Sequence, residues 1–316
     1  MEQPEQPEPA DRPEPSDRRE QQEQQERSDR PGPADRPGAG APRAEGAGPF
    51  TTRVTWGLPG GGTAVWESRP ARRRGLLAVR APGSPTVRHA RADEVSVARL
   101  RRLNTVASIA FVFGGALFAA GASVAQFGSG DATTSAVIYF VGGLCFNTGG
   151  YVTLLQVINA PRHVAGGEGA LVTRRWRWWR YEPMRVDWLS AFVLFAGTLV
   201  FAVNLLDSFL QGLSVQQVNR LIWAPDVIGC VLFLISGHLG FVEVCHGRLR
   251  VLPRDLGWWI VGVNQLGSVL FMVSALAAFT RPSTGSLING DIANWGTVTG
   301  ALCFSVGGVL QLFERP

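Results

Sequence analysis

The sequence predicts an all-α polytopic membrane protein, with six transmembrane helices grouped as three repeated two-helix hairpins behind a disordered N-terminal arm. Three observations carry this: six long apolar runs, an arginine bias toward alternate connections, and a motif that recurs along the runs. The chain has 316 residues, 46% hydrophobic and only 17% charged. Charge is unevenly spread, since residues 1–50 hold 12 of the 25 acidic side chains and 7 of the 30 basic ones. The remainder is too apolar for a uniformly soluble globule. With 4 cysteines and no Cys-x-x-Cys pair, neither a disulfide scaffold nor a zinc site is indicated.

Residues 1–49 repeat Pro, Glu, Gln, Asp and Arg, as in Glu2-Gln3-Pro4-Glu5-Gln6-Pro7. Burial of so few apolar groups cannot offset the entropy of ordering the backbone, so a disordered arm is expected, free to bind a cytoplasmic protein. Residues 50–102 form a juxtamembrane segment. Within it Thr51–Trp56 and Gly62–Glu67 flank Pro59-Gly60-Gly61, the pattern of a short β-hairpin. A lone hairpin is marginal in water. A loosely ordered segment against the headgroups, ending in Arg72-Arg73-Arg74 and a Pro- and Gly-bearing stretch, is therefore the expectation.

The apolar runs cover 103–126, 135–157, 188–206, 226–245, 257–279 and 293–313. Each approaches or exceeds the ~20 residues a helix needs to cross ~30 Å of hydrocarbon. They divide into hairpins over 103–160, 188–246 and 247–316, with an Arg/Trp-rich connection over 161–187 between the first two. Every basic residue is arginine. Arg80, Arg88, Arg91, Arg99, Arg101 and Arg102 precede the first run, and six more arginines, from Arg162 to Arg185, fill the 161–187 connection. Arg248, Arg250 and Arg254 join the fourth run to the fifth, and Arg315 follows the sixth. The opposite connections hold only Arg220 and Arg281. Positive residues stay inside, so both termini are expected in the cytoplasm of a bacterial inner membrane. This distribution favours anionic headgroups over nucleic acid as the partner of the basic groups.

The second, fourth and sixth runs align without a gap. Gly142-Gly143-Leu144-Cys145-Phe146 leads to Gly149-Gly150 and Gln156, Gly229-Cys230-Val231-Leu232-Phe233 to Gly237 and Glu243, and Gly300-Ala301-Leu302-Cys303-Phe304 to Gly307-Gly308 and Glu314. The odd runs share a looser pattern: Ala107-Ser108 to Phe111, Gly197-Thr198 to Phe201, and Gly267-Ser268 to Phe271. A repeat of this kind reads as one two-helix unit used three times, all copies in the same topology. Glycines at matched positions are expected to let helix backbones approach in lipid, where hiding apolar surface gains little. The same small-residue faces leave self-association open. The hairpin pattern resembles the YrhK-like domain, a two-helix membrane module, best through Gly267-Ser268-Val269-Leu270-Phe271 and Gly300 through Phe304. That resemblance implies a helical membrane protein and carries no catalytic residue or cofactor.

Ionisable and polar groups within spans are functional candidates because their burial is costly. His238, mid-run, either relays protons or binds a ligand between helices, or is a neutral imidazole hydrogen-bonded to a neighbour. Glu243 and His246 share a helix face as a Glu-x-x-His pair, which supplies metal ligands in some bundles. The blander expectation pairs Glu243 with Arg248 or Arg250 at the rim. Asn104 and Asn264 align in the repeat and fit interhelical hydrogen bonds or a polar path. The stretch Arg174-Arg175-Trp176-Arg177-Trp178-Trp179-Arg180 reads as a lipid-surface anchor, Trp at headgroup level and Arg on phosphates. No phosphate loop, dinucleotide fingerprint, zinc-protease motif or nucleophile elbow occurs. No enzyme, cofactor or metal is thus indicated. The expectation is a membrane scaffold or interaction protein, with a small-solute or proton-coupled transporter as the alternative.

Overall fold

The computed structural model describes residues 42–47, 49–59, 61–128, 132–163, 171–172, 175–247 and 250–314. Most of the expected disordered arm and Arg174 lie outside the described residues. Among them, six helices are long and apolar enough to cross a membrane. The chain is a multi-pass helical membrane protein with a small sheet domain ahead of its first span.

That domain begins earlier and is better ordered than the sequence suggested. Strands β1 (Arg43–Ala47), β2 (Phe50–Gly57), β3 (Thr63–Glu67), β4 (Leu76–Arg80) and β5 (Val87–Arg91) form an antiparallel meander, with helix α1 (Ser68–Arg74) between β3 and β4. The anticipated hairpin is β2–β3, in register from Arg53 opposite Glu67 to Gly57 opposite Thr63. Period-2 alternation puts Val54 and Trp56 on one face, where they meet Trp66 and Ala64 across the strand pair. Ala71 of α1 and Leu77 of β4 complete this core. A lone hairpin would leave those tryptophans wet. Three further strands and α1 bury them, which is why the segment is a folded domain and not a loose headgroup-lying stretch.

The membrane helices are α2 (Glu94–Phe127), α3 (Ala132–Ile158), α4 (Val186–Asp207), α6 (Ala224–Val244), α7 (Leu256–Ala277) and α8 (Gly290–Phe313). Helix α2 starts nine residues before the apolar run, capped by the Asp93 carboxylate on Ser96 N–H. At 34 residues it is about 51 Å long, so its first turns, with Arg99, Arg101 and Arg102, project beyond the hydrocarbon. The fourth run is also preceded by helix. Short α5 (Val215–Val218) passes through a π-turn at Asn219–Trp223 into α6. Pro225 lacks the N–H that α-helical pairing would use there, and the wider turn accommodates it.

Packing joins each helix to two neighbours in the closed order α2, α3, α4, α6, α7, α8 and back to α2. Phenylalanines fill the middle. Phe304 lies with ring centroids 5.6 Å from Phe146, 6.0 Å from Phe233 and 5.4 Å from Phe271, and Phe201 lies 5.9 Å from Phe233. Within each hairpin a glycine on either helix admits a phenylalanine of the other. A Cβ on Gly142 would sit 2.8 Å from Phe118, on Gly229 2.9 Å from Phe201, and on Gly300 2.8 Å from Phe271. Reciprocally, Gly114 meets Phe146, Gly197 meets Phe233, and Gly267 meets Phe304. In the first hairpin the residues making this contact are Gly114 and Phe118. The sequence alignment had set Ala107 and Phe111 there, two helical turns away; Phe111 instead covers Gly149.

Other glycines serve further contacts between helices. Gly150 admits the Phe195 backbone between α3 and α4, Gly237 admits Gln265 between α6 and α7, and Gly307 admits Asn264 between α7 and α8. Gly308 lies against the Ser108 carbonyl where α8 closes on α2. Gly115 has the closest backbone neighbour of these, because a Cβ there would lie 2.6 Å from the Ala301 carbonyl oxygen, which cannot rotate away. Gly115→Ala should therefore destabilise the closed ring by about 1–3 kcal/mol, against a propensity gain of under about 1 kcal/mol. Thermal unfolding in detergent checks this; a variant as stable as wild type would show that the seam yields.

Candidate functional site

Helix α1 points into the mouth of the ring. Its sequence sets the geometry: Arg69, Arg72 and Arg73 stand at i, i+3 and i+4 and share one face, while Arg74 falls on the other and is exposed. Gly75, left-handed at φ 62°, ends the helix and turns the chain back into β4. The three inward guanidiniums meet the ring at the ends of three spans.

Two of these contacts are bidentate. Arg72 donates from Nε to Glu243 Oε1 (3.0 Å) and from Nη2 to Oε2 (2.6 Å), and Ser68 Oγ adds a third bond to Oε1 (2.9 Å). Arg69 donates from Nε to Glu314 Oε1 (2.7 Å) and from Nη2 to Oε2 (2.9 Å). Gly257, at the start of α7, leaves room for the Arg69 guanidinium, which lies 2.6 Å from where a Cβ would stand. Arg73 donates from Nη1 to Asn104 Oδ1, and its Nε lies 3.7 Å from Glu314. Asn104 Nδ2 in turn donates to the Gln311 carbonyl at 2.9 Å, joining α2 to α8.

The charges do not balance evenly. Burial would lower the Arg72 guanidinium, but Glu243 outweighs it and raises its pKa. Burial likewise works against a charged Glu314, yet Arg69 and Arg73 hold its carboxyl below the usual range. For Arg73 burial prevails, and with Arg72 beside it the guanidinium is pushed down to about 9, since Glu314 is already shared with Arg69.

Beneath the arginines lies a cavity of about 100 Å³, bounded by Arg72, Arg73, Asn264, Gln311 and Asp187, with Phe111, Phe233 and Phe304 on the apolar side. The Phe cluster leaves only about 10 Å³ in the middle of the ring. At the opposite end a wider vestibule of about 480 Å³ opens, lined by Tyr139, Asn204 and Asp226.

Of the candidates read from sequence, Glu243, Asn104 and Asn264 come together here. The Glu243 partner is Arg72, 171 residues earlier in sequence, and not Arg250; Arg248 lies outside the described residues. The Glu243–His246 pair does not converge. Helix α6 ends at Val244, and His246 takes a left-handed φ of 51°, so the two no longer share a face. His246 turns instead to Glu67 (3.6 Å) and Thr52 (3.4 Å) of the sheet domain. Among the described residues no three His, Cys, Asp or Glu side chains converge as metal ligands. His238 is exposed on the outer face of the bundle. Phe233, Ser236, Gly240 and Glu243 define the inward side of α6, and the helical period carries position 238 away from them. It lines no path through the ring.

The Arg/Trp stretch caps the first hairpin. Arg177 N–H donates to Asn159 Oδ1 (2.9 Å), Asn159 Nδ2 donates to the Arg177 carbonyl (2.8 Å), and Tyr151 donates to the Trp178 carbonyl (3.3 Å). Trp178 and Trp179 are exposed, and Arg99 lies 5.5 Å over the Trp176 ring. Arg175 and Arg177 point outward, while Arg180 reaches Glu182 at 2.5 Å. Trp259 is exposed at the same end of the bundle and Trp295 at the other, the two levels expected of interfacial aromatic belts.

Sequence reading missed Arg69, Arg72 and Arg73 as site residues. A signal existed, because Gln156, Glu243 and Glu314 occupy one position of the aligned apolar runs and an Arg-x-x-Arg-Arg face precedes the first span. No protein-family model matches the chain, and no curated protein or solved structure is similar to it, so function must be argued from geometry.

Removing one partner of a buried pair strands the other charge. Glu243→Ala should cost about 3–5 kcal/mol of domain docking, whereas Glu243→Leu combined with Arg72→Met should recover most of it. Tryptic cleavage after Arg73 reads the difference: fast in the single variant, slow in wild type and in the double variant.

Proposed function

We propose that this chain is a non-enzymatic membrane scaffold or interaction protein. It holds a folded sheet domain at a fixed orientation on the cytoplasmic face of a bacterial inner membrane, with both termini on that side. The observation that carries this reading is the insertion of Arg69, Arg72 and Arg73 into the ring. A domain tied down by buried bidentate ion pairs is oriented, unlike one on a free linker. The arginine bias supports the orientation. The outward Arg175, Arg177, Trp178 and Trp179 suit contact with anionic headgroups. Reading the three hairpins as copies of one YrhK-like unit is part of the proposal, and the repeated Gly–Phe contact supports it. The arm then supplies the protein partner. Deleting residues 1–42 should leave insertion and domain docking intact but remove partners from an affinity capture; an unchanged set of partners refutes this role for the arm.

A plugged conduit for a small solute or proton is the second reading, favoured by the cavities on either side of the Phe cluster along the ring. It expects Phe304→Ala combined with loss of the α1 arginines to raise flux in proteoliposomes. Absence of flux under every gradient imposed removes it.

A further inference from the structure

The cavity beneath α1 is built from donors. Arg72 and Arg73 are 6% and 4% exposed, and Gln311 is 4% exposed, so none of them is served by bulk water. Yet among the described residues Arg72 Nη1, Arg73 Nε and Gln311 Nε2 have no hydrogen-bond partner, although all three residues line the same space. Leaving such donors dry costs on the order of 1–3 kcal/mol each, and more for a charged group. Three guanidiniums, on Arg69, Arg72 and Arg73, meet two carboxylates, on Glu243 and Glu314. Asp187, which lines the cavity together with Glu243, is engaged by Arg185 through both of its oxygens. Among the described residues one positive charge is thus in excess around a cavity of about 100 Å³. We infer that this cavity is a binding site for one small compact anion, a short carboxylate or an inorganic oxyanion, held by Arg72 Nη1, Arg73 Nε and Gln311 Nε2.

The chemistry fits this class and excludes its neighbours. A cation would add to the unmatched positive charge. A neutral apolar solute would leave the three donors dry. The phenylalanine floor and the small volume exclude anything as large as a nucleotide or a lipid headgroup with its tails. The low pKa of Arg73 has the same origin, burial of a guanidinium that shares its nearest carboxylate, Glu314, with Arg69. The site lies at the junction between the sheet domain and the ring, so an anion there ties α1 to α8 and strengthens docking by mass action. This inference is independent of whether the protein acts as a scaffold or as a conduit.

The test uses the full chain in detergent, with sodium gluconate as the bulky reference salt and sodium formate, acetate, phosphate and chloride as probes. Thermal unfolding is followed at constant ionic strength. At least one compact anion should raise the midpoint saturably, where gluconate does not. Arg73→Met removes both the donor and the excess charge, so it should lose the saturable response. Gln311→Leu keeps every charge and should weaken the response about tenfold, the worth of one well-placed donor. If Arg73 were only a structural tie to Asn104, the anion response would persist at full affinity in both Arg73→Met and Gln311→Leu. That result overturns the proposal, as does the absence of saturation with all four probes. Should Arg73→Met fail to fold, Gln311→Leu decides alone.

Discussion

Three guanidiniums enter the interior of a membrane protein on a helix of seven residues, and the rest of the architecture answers to them. Taking an ion out of water costs several kcal/mol even after relaxation, and a close counter-charge offsets that only when geometry is good. Here two of the three arginines have it, as planar forks on carboxylates. The surrounding features become intelligible from that requirement. Gly75 stops α1 before it would collide with the ring, Gly257 clears a path for Arg69, and the left-handed turn after α6 steers His246 away to the sheet domain.

The ring is what makes such a site available. Six helices in lipid have little to gain from hiding apolar surface, so their closure depends on how near their backbones can come. Glycine on each helix of a hairpin, with a phenylalanine of the partner lying over it, gives close approach and a filled centre together. The same reciprocal contact occurs in all three hairpins. Glu243, near the end of α6, and Glu314, just after α8, receive Arg72 and Arg69 of the single helix α1.

The membrane part was legible because its physics is one-dimensional. Length and apolarity specify a span, and a recurring Gly-to-Phe spacing specifies what packs. Legibility failed where contacts join distant segments. Residues 50–92 looked like an isolated hairpin because each strand alone is weakly patterned; their stability comes from Trp56 and Trp66 being covered by strands and a helix up to Leu77. The odd runs align on Ala107 and Phe111 of α2 because local spacing recurs at one heptad in that helix, and only contact with α3 selects Gly114 and Phe118. His238 attracted attention as a lone imidazole in a span, but a helix has an outside, and phase decided which side it took. Glu243 was recognised as unusual while its partner was not, since nothing local connects it to an arginine 171 positions earlier.

The bidentate pair between Arg69 and Glu314 has a bearing on biogenesis. Its two residues are separated by 245 positions, and every membrane helix lies between them. The sheet domain emerges from the ribosome first, yet the carboxylate that receives Arg69 is synthesised only after α8. Until then three cationic side chains have an incomplete socket, and α2 has an unsealed flank toward the missing helix. Domain seating is thus a late event of assembly, and a proteolytic surveillance system that cuts after exposed arginines would distinguish finished molecules from stalled ones.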